Sequence, residues 1–228
     1  MTASRHRLRR GLFLVFEGID GAGKTTQIRL LEARLLRQGY DIVLCRKEPT
    51  EGPWGQKLRQ LAEHGRHVTP ATELEWFLQD RREDVEQWIH PALARGQIVL
   101  LDRYYFSTMA YQGALGLSLT DIQARNEAFA PRPDCLFLLD LPVEQGLQRV
   151  RQRGVASHFE RQTYLTQVAA IFAAMEFPYL RRIDASAEPD IVHERIWQVV
   201  APLLACLTSP TSGQAASGAV LESVPGTT

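Results

Sequence analysis

Eight consecutive residues constrain this chain more than any others: Gly18-Ile19-Asp20-Gly21-Ala22-Gly23-Lys24-Thr25. They follow a short, wholly apolar run, Leu12 to Phe16, and precede a segment in which Ile28, Leu31, Leu35 and Leu36 recur at helical spacing. The order is strand, loop, helix. In that context the spacing G-x-x-x-x-G-K-[ST] is that of a loop wrapped around polyphosphate. The glycines let the backbone approach phosphate oxygens closely, and the exposed N–H groups and the positive end of the helix dipole stabilise the anion. Lys24 adds a mobile charge at the β- and γ-phosphates of ATP. Thr25 offers a hydroxyl to Mg²⁺, and Thr26 a further donor to phosphate.

The pattern of a buried strand, a loop and a helix then recurs along the chain. Asp41 to Cys45 reads as a strand followed by a loop. Thr69 and Pro70 give an N-cap and first-turn proline to a long helix ending near Arg95. Ile98 to Leu101 and Cys135 to Leu139 are further apolar strands, with helices around Phe106 to Gln112 and Ser118 to Phe129 between them. Pro142 opens the helix behind the fourth strand. A strand near Leu180 to Ile183 precedes a helix from about Glu188 to Leu204.

Strands that are apolar throughout and alternate with helices indicate a parallel sheet covered on both faces. The expected fold is α/β, a three-layer P-loop NTPase sandwich with a five-stranded parallel sheet. Three strands end in a carboxylate, at Glu17, Asp102 and Asp140, and such sheets bind ligands beyond the carboxyl ends of their strands. One domain, residues 11–206, is expected. Before it lies a basic arm, 1–10, read as a solvated terminus. After it lies a Ser, Gly, Thr and Pro-rich tail, 207–228, with no apolar periodicity, read as disordered.

Composition narrows the partners. The 228 residues carry 26 Lys and Arg against 26 Asp and Glu, so no bulk field exists to hold nucleic acid or an acidic membrane. No apolar stretch is long enough to span a bilayer, and no secretion signal opens the chain. Cys45, Cys135 and Cys206 are too scattered for a zinc site or a disulfide framework, which suggests a reducing cytoplasm. Cys45 and Cys135 lie in apolar runs and read as buried small side chains.

A phosphate loop does not by itself identify the acceptor. On the long helix Leu74, Phe77, Leu78, Val85, Trp88 and Ile89 form an apolar stripe with Arg81 in its middle. Phe77 and Arg81, one turn apart, could hold a flat carbonyl-bearing ring; equally, Phe77 could be plain core, with Arg81 paired to an acid such as Asp84 or Glu48. Asp102 is placed to hold Mg²⁺ through water, and Arg103 to meet a phosphate. Tyr104, Ser107, Thr108, Tyr111 and Gln112 crowd polar and aromatic groups onto the next segment. Arg149, Arg151, Arg153 and Arg161 bracket a Gly154-containing stretch, a basic lid near 149–161.

These residues resemble the thymidylate kinase family of nucleoside monophosphate kinases. The resemblance runs from about Gly11 to Leu204 and rests on FEGIDGAGKTTQ (Phe16 to Gln27), EPT (Glu48 to Thr50), FLQDR (Phe77 to Arg81) and DRYYFSTMAYQG (Asp102 to Gly113). It implies ATP-dependent conversion of dTMP to dTDP by a homodimer. It also implies that Phe77 stacks on thymine, that Arg81 bonds the thymine carbonyl edge, that Arg103 grips the dTMP phosphate and that Asp20 holds the sugar hydroxyl. Glu48, Ser107, Thr108, Tyr111 and Gln112 are expected around the acceptor nucleotide. The chain departs from the family pattern in reading EPTEGP where many members have EPGG, and in carrying His158 where relatives often have Arg.

A phosphate acceptor needs positioning and positive charge, not a protein base. Lys24, Arg103 and Arg153 are the expected catalytic cations, Arg153 because it precedes the flexible Gly154 and because Ala22 leaves the phosphate loop without an arginine. Two rival readings remain. In a deoxynucleoside kinase Glu48 would deprotonate a sugar hydroxyl; in a non-catalytic regulator the loop would bind nucleotide without turnover.

Overall fold

The computed structural model describes residues 6, 8–40, 42–65, 67–151 and 159–208, the side chains of Ile42, Val43, Phe159, Glu160 and Arg161 excepted. Five strands, β1 (Leu12–Glu17), β2 (Ile42–Lys47), β3 (Ile98–Asp102), β4 (Cys135–Asp140) and β5 (Leu180–Asp184), form one parallel sheet in the order β2-β3-β1-β4-β5. Every residue of β1 and β3 is buried. Because successive side chains of a strand point to opposite faces, burial of both sets means that helices cover the sheet on both sides.

The helices are α1 (Lys24–Arg37), α2 (Pro53–His64), α3 (Pro70–Asp84), α4 (His90–Ala94), α5 (Tyr105–Gly113), α6 (Leu119–Glu127), α7 (Val143–Arg151), α8 (Phe159–Ala174) and α9 (Pro189–Thr208). The Thr69 side chain caps α3 by accepting from the Thr72 N–H, and Ser118 caps α6 in the same way from Asp121. The long helix expected to end near Arg95 is continuous but not uniform. Residues Val85–Ile89 form a π-helical turn between α3 and α4, with the His90 N–H reaching back to the Val85 carbonyl. Pro91 follows directly. Proline lacks an N–H and crowds the carbonyl four residues earlier, and a widened turn relieves that crowding.

Three expectations need correction. The segment after β2 is not a loop throughout: α2 starts there, with Gly52 as N-cap, Pro53 in its first turn, and Leu58 and Leu61 buried. Gly52 and Pro53 suit the opening of a helix and a turn alike. Cys45 is exposed, since β2 is an edge strand, whereas Cys135 on the interior strand β4 is buried. The described part of the amino-terminal arm is not simply solvated: Leu8 is buried in the core, His6 bridges to Tyr40, and the Arg9 N–H donates to the Leu207 carbonyl at 3.1 Å. The tail from Ser209 lies outside the described residues. No described helix is long and apolar enough to cross a membrane.

The segment α2 is held against the turn before it by a glycine. A Cβ on Gly55 would stand 2.0 Å from the Thr50 carbonyl oxygen, a backbone atom that cannot swing aside. Alanine in a helix interior ordinarily gains about 0.5–1 kcal/mol over glycine, while forced overpacking costs roughly 1–3 kcal/mol. Gly55→Ala is therefore expected to lower the thermal midpoint by several degrees, at about 2–4 °C per kcal/mol for a chain of this size. A raised midpoint in calorimetry would mean that helix propensity outweighs the clash.

Candidate active site

The loop between β1 and α1 encloses a small cavity of about 90 Å³, lined by Asp20, Gly21, Gly23, Lys24, Thr25, Thr26, Lys47, Asp102 and Arg103. Gly21, at φ +85°, lies so close to α7 that a Cβ would meet the Gly146 carbonyl oxygen at 2.5 Å. Lys24 is nearly buried, its ammonium donating to the carbonyls of Gly18 at 2.9 Å and Ile19 at 3.0 Å. Burial, followed by the Arg103 charge, pulls the Lys24 pKa down to about 8. Gly18, Ile19 and Ala22 do not line this cavity; they form the body of the loop, Ala22 being buried beneath it.

The Thr25 hydroxyl donates to one oxygen of Asp102, and the other, Oδ1, is buried with no hydrogen-bond partner. A hydroxyl beside a carboxylate with a spare oxygen is a donor set that suits a hard, water-retaining cation such as Mg²⁺. The expected pair, Thr25 and Asp102, is thus brought together.

Arg103 stands between this cavity and a larger one. Its backbone is left-handed, φ +73°, alone among the described non-glycine residues. Its N–H donates to the Phe16 carbonyl at 3.0 Å, and its guanidinium donates to Asp20 Oδ1 at 2.7 Å and Ser107 Oγ at 2.8 Å while lying over the Tyr111 ring. Burial works against that charge, but Tyr111, Asp20 and neighbouring carboxylates outweigh it and raise the Arg103 pKa. Glu17, read from sequence as part of the functional edge, is fully buried. It accepts from the N–H groups of Tyr104 at 2.8 Å and Ser107 at 2.9 Å and from the Ser107 hydroxyl, so it fixes the chain on the far side of Arg103. Burial pushes its carboxyl above the usual range, with Arg103 and Ser107 pulling the other way.

The larger cavity, about 500 Å³, is lined by Asp20, Glu48, Phe77, Arg103, Ser107, Thr108, Tyr111 and Gln112, all expected from sequence, together with Arg59, Glu73 and Tyr164, which were not. Arg59 was missed because it lies on α2, within the segment read as loop. Its guanidinium donates to the Pro49 carbonyl at 3.1 Å, to the Thr50 carbonyl and to Glu51 at 2.9 Å. Gln112 is buried, and its side-chain carbonyl has no partner.

Arg81 does not line the cavity. It is fully buried behind the wall, Nε donating to Glu48 Oε1 at 2.9 Å, Nη2 to Glu48 Oε2 and to Thr108 Oγ1 at 3.0 Å, and Nη1 to Asn126 Oδ1. Of the two readings open from sequence, pairing with Glu48 is the one observed for Arg81, while Phe77 faces the cavity. Burial raises the Glu48 pKa by more than Arg81 lowers it. Asn126, also fully buried, was not singled out in the sequence; only the fold brings α6 against α3.

Of the arginines expected to form a lid, Arg149 donates from Nη1 to the Gly21 carbonyl at 3.3 Å and the Ala185 carbonyl at 3.2 Å. Arg151 is exposed at the end of α7. Arg153, Gly154 and His158, and the side chain of Arg161, lie outside the described residues.

A family model described as thymidylate kinase matches residues 16–196. A thymidylate kinase of Xanthomonas campestris pv. campestris is 54% identical over 196 residues, 86% of this chain and 85% of that relative. One from Desulfotalea psychrophila is 48% identical over 196 residues, 85% of this chain and 96% of that protein. Among solved structures, thymidylate kinase from Ehrlichia chaffeensis superposes with a TM-score of 0.68 at 28% identity, covering 84% of this chain and 99% of that one. With the parallel sheet, the phosphate loop at the end of β1 and these matches together, the chain belongs to the thymidylate kinase family.

Proposed function

We infer that the chain transfers the γ-phosphoryl group of ATP to dTMP, giving ADP and dTDP. The observation that carries this reading is that the two cavities share a wall. Asp20 and Arg103 line both, so a donor held by the phosphate loop and an acceptor in the larger space would meet at Arg103. Two guanidinium groups, Arg59 and Arg103, face the larger cavity and suit an anionic acceptor. Phe77 offers that acceptor a ring to stack on, and Gln112 and Thr108 offer hydrogen bonds.

A phosphate monoester has a second pKa of about 6 and is largely a dianion near neutral pH, so it attacks without a protein base. The protein's task is alignment and charge. Lys24 would neutralise the β- and γ-phosphates, Arg103 would hold the acceptor phosphate in line, and Asp20 would fix both Arg103 and the sugar. Thr25 and Asp102, the latter through water, would hold Mg²⁺, which would supply positive charge to the donor phosphates. Arg81, held through Glu48, Asn126 and Thr108, would act on the base from behind the wall. In the rival deoxynucleoside kinase, Glu48 would be the base, yet its carboxylate is occupied by the Arg81 fork. The same reading has the enzyme act on free nucleotides in the cytoplasm as a homodimer, without nucleic acid or membrane partners.

The test is an ADP-release assay with ATP and each nucleoside monophosphate, with thymidine alongside. We expect dTMP to exceed dCMP in kcat/KM by on the order of 10⁴, because donor groups facing an amino group are left unmet. Turnover of thymidine but not dTMP would establish the rival; no turnover with any acceptor would leave a binding protein.

Two substitutions probe the charge. Lys24→Ala is expected to lower kcat on the order of a hundredfold or more while leaving thermal unfolding nearly unchanged, since its partners are loop carbonyls and not core. Retention of a tenth of the rate would contradict its role. Arg153→Ala is expected to lower kcat by at least about a hundredfold, as an arginine delivered to a transferring phosphoryl group does. Single-turnover rates for Arg151→Ala, Arg161→Ala and His158→Ala would reassign that role if one of them collapses in its place.

A further inference from the structure

We propose that Lys47 is a further catalytic cation, supplying charge to the transferring phosphoryl group from the strand beside the one that carries Asp102. The inference rests on the phosphoryl-transfer reading above.

Strand geometry places it. In the parallel pair β2 and β3, Lys47 is the register partner of Asp102, and register partners share a face of the sheet. That face is the one covered by α1. Asp102 accepts from Thr25 in the first turn of α1, and the thiol of Cys45, two residues before Lys47 and so on its face, is pushed up by burial and by the neighbouring charge of Glu32 further along the same helix. Lys47 therefore stands over the start of α1, and it lines the small phosphate-loop cavity with Thr25, Thr26 and Asp102.

Its state differs from that of the other cations there. Lys24 is held by the Gly18 and Ile19 carbonyls, and Arg103 by Asp20 and Ser107. The Lys47 side chain is exposed and has no hydrogen bond or ion pair among the described residues. An exposed lysine elsewhere on a protein is solvated and inert. Here a flexible four-carbon stem ends at the mouth of a cavity built for anions. Charge in a loose phosphoryl transition state spreads over three equatorial oxygens. Lys24 approaches from the loop and Arg103 from the acceptor side, whereas Lys47 approaches from β2. Ala22 contributes no charge from within the loop.

The experiment compares full-length wild type with Lys47→Ala, Lys47→Met and Lys47→Arg. Expected for the neutral variants is a loss of at least about tenfold in kcat, less than a buried oxyanion donor gives because water screens the site. The KM for dTMP and the thermal midpoint should stay near wild type, and Lys47→Arg should recover most of the rate. The neutral variants should also bind ADP with aluminium fluoride, a mimic of the phosphoryl in flight, about tenfold more weakly, with affinity for ADP alone unchanged. That titration tests Lys47 whether or not dTMP is the acceptor; wild-type turnover of dTMP tests the acceptor separately. An unchanged kcat with unchanged fluoride-complex affinity, or an equal loss for ADP alone, would overturn the proposal.

Discussion

The geometry of the site depends on one buried carboxylate. Glu17 ends the central strand and accepts three hydrogen bonds from Tyr104 and Ser107, which follow the only described non-glycine residue with a left-handed backbone, Arg103. A strained backbone of that kind costs roughly 1–3 kcal/mol. Hydrogen bonds to an ionised group contribute about 1.5–3 kcal/mol each, so Glu17 can hold Arg103 in a conformation it would not adopt alone. The consequence is directional. With its N–H tied to Phe16, Arg103 turns its guanidinium toward Asp20 and the wall between the cavities, not outward into solvent.

A second constraint joins the phosphate loop to α7. Gly21 and Gly146 approach so closely that a methyl on either would collide with backbone of the other segment, and Arg149 crosses the same contact to reach the Gly21 carbonyl. The base of α7 is thereby registered on the loop that would hold the donor phosphates.

Much of this was legible in the residues themselves. The fully apolar runs Leu12 to Phe16 and Ile98 to Leu101 could only be strands buried on both faces, and the G-x-x-x-x-G-K-T spacing required the turn into α1. Thr25 and Asp102 were expected together, and they meet. The edge position of β2 was not legible, because an apolar run looks alike at the edge and in the centre; hence the mistaken burial of Cys45. The helix α2 was hidden by Gly52 and Pro53, which open helices and turns alike.

By itself the sequence determined the family motifs and their order: the G-x-x-x-x-G-K-T loop after a buried strand, the carboxylate that ends β3, and the arginines and aromatic groups beyond it, because local spacing dictates what a strand-to-helix turn can form. Tertiary structure decided the assignments between segments distant in the chain. Arg81 could read a base or pair with an acid on spacing alone, and only the packing of α3 against α5 and α6 puts Glu48, Thr108 and Asn126 around its fork. Likewise Arg59 lines the larger cavity, and Lys47 the small phosphate-loop cavity, through the placement of α2 and the register of β2 on β3. The reason is physical: side-chain periodicity tells which face of an element is buried, but not which neighbour covers it.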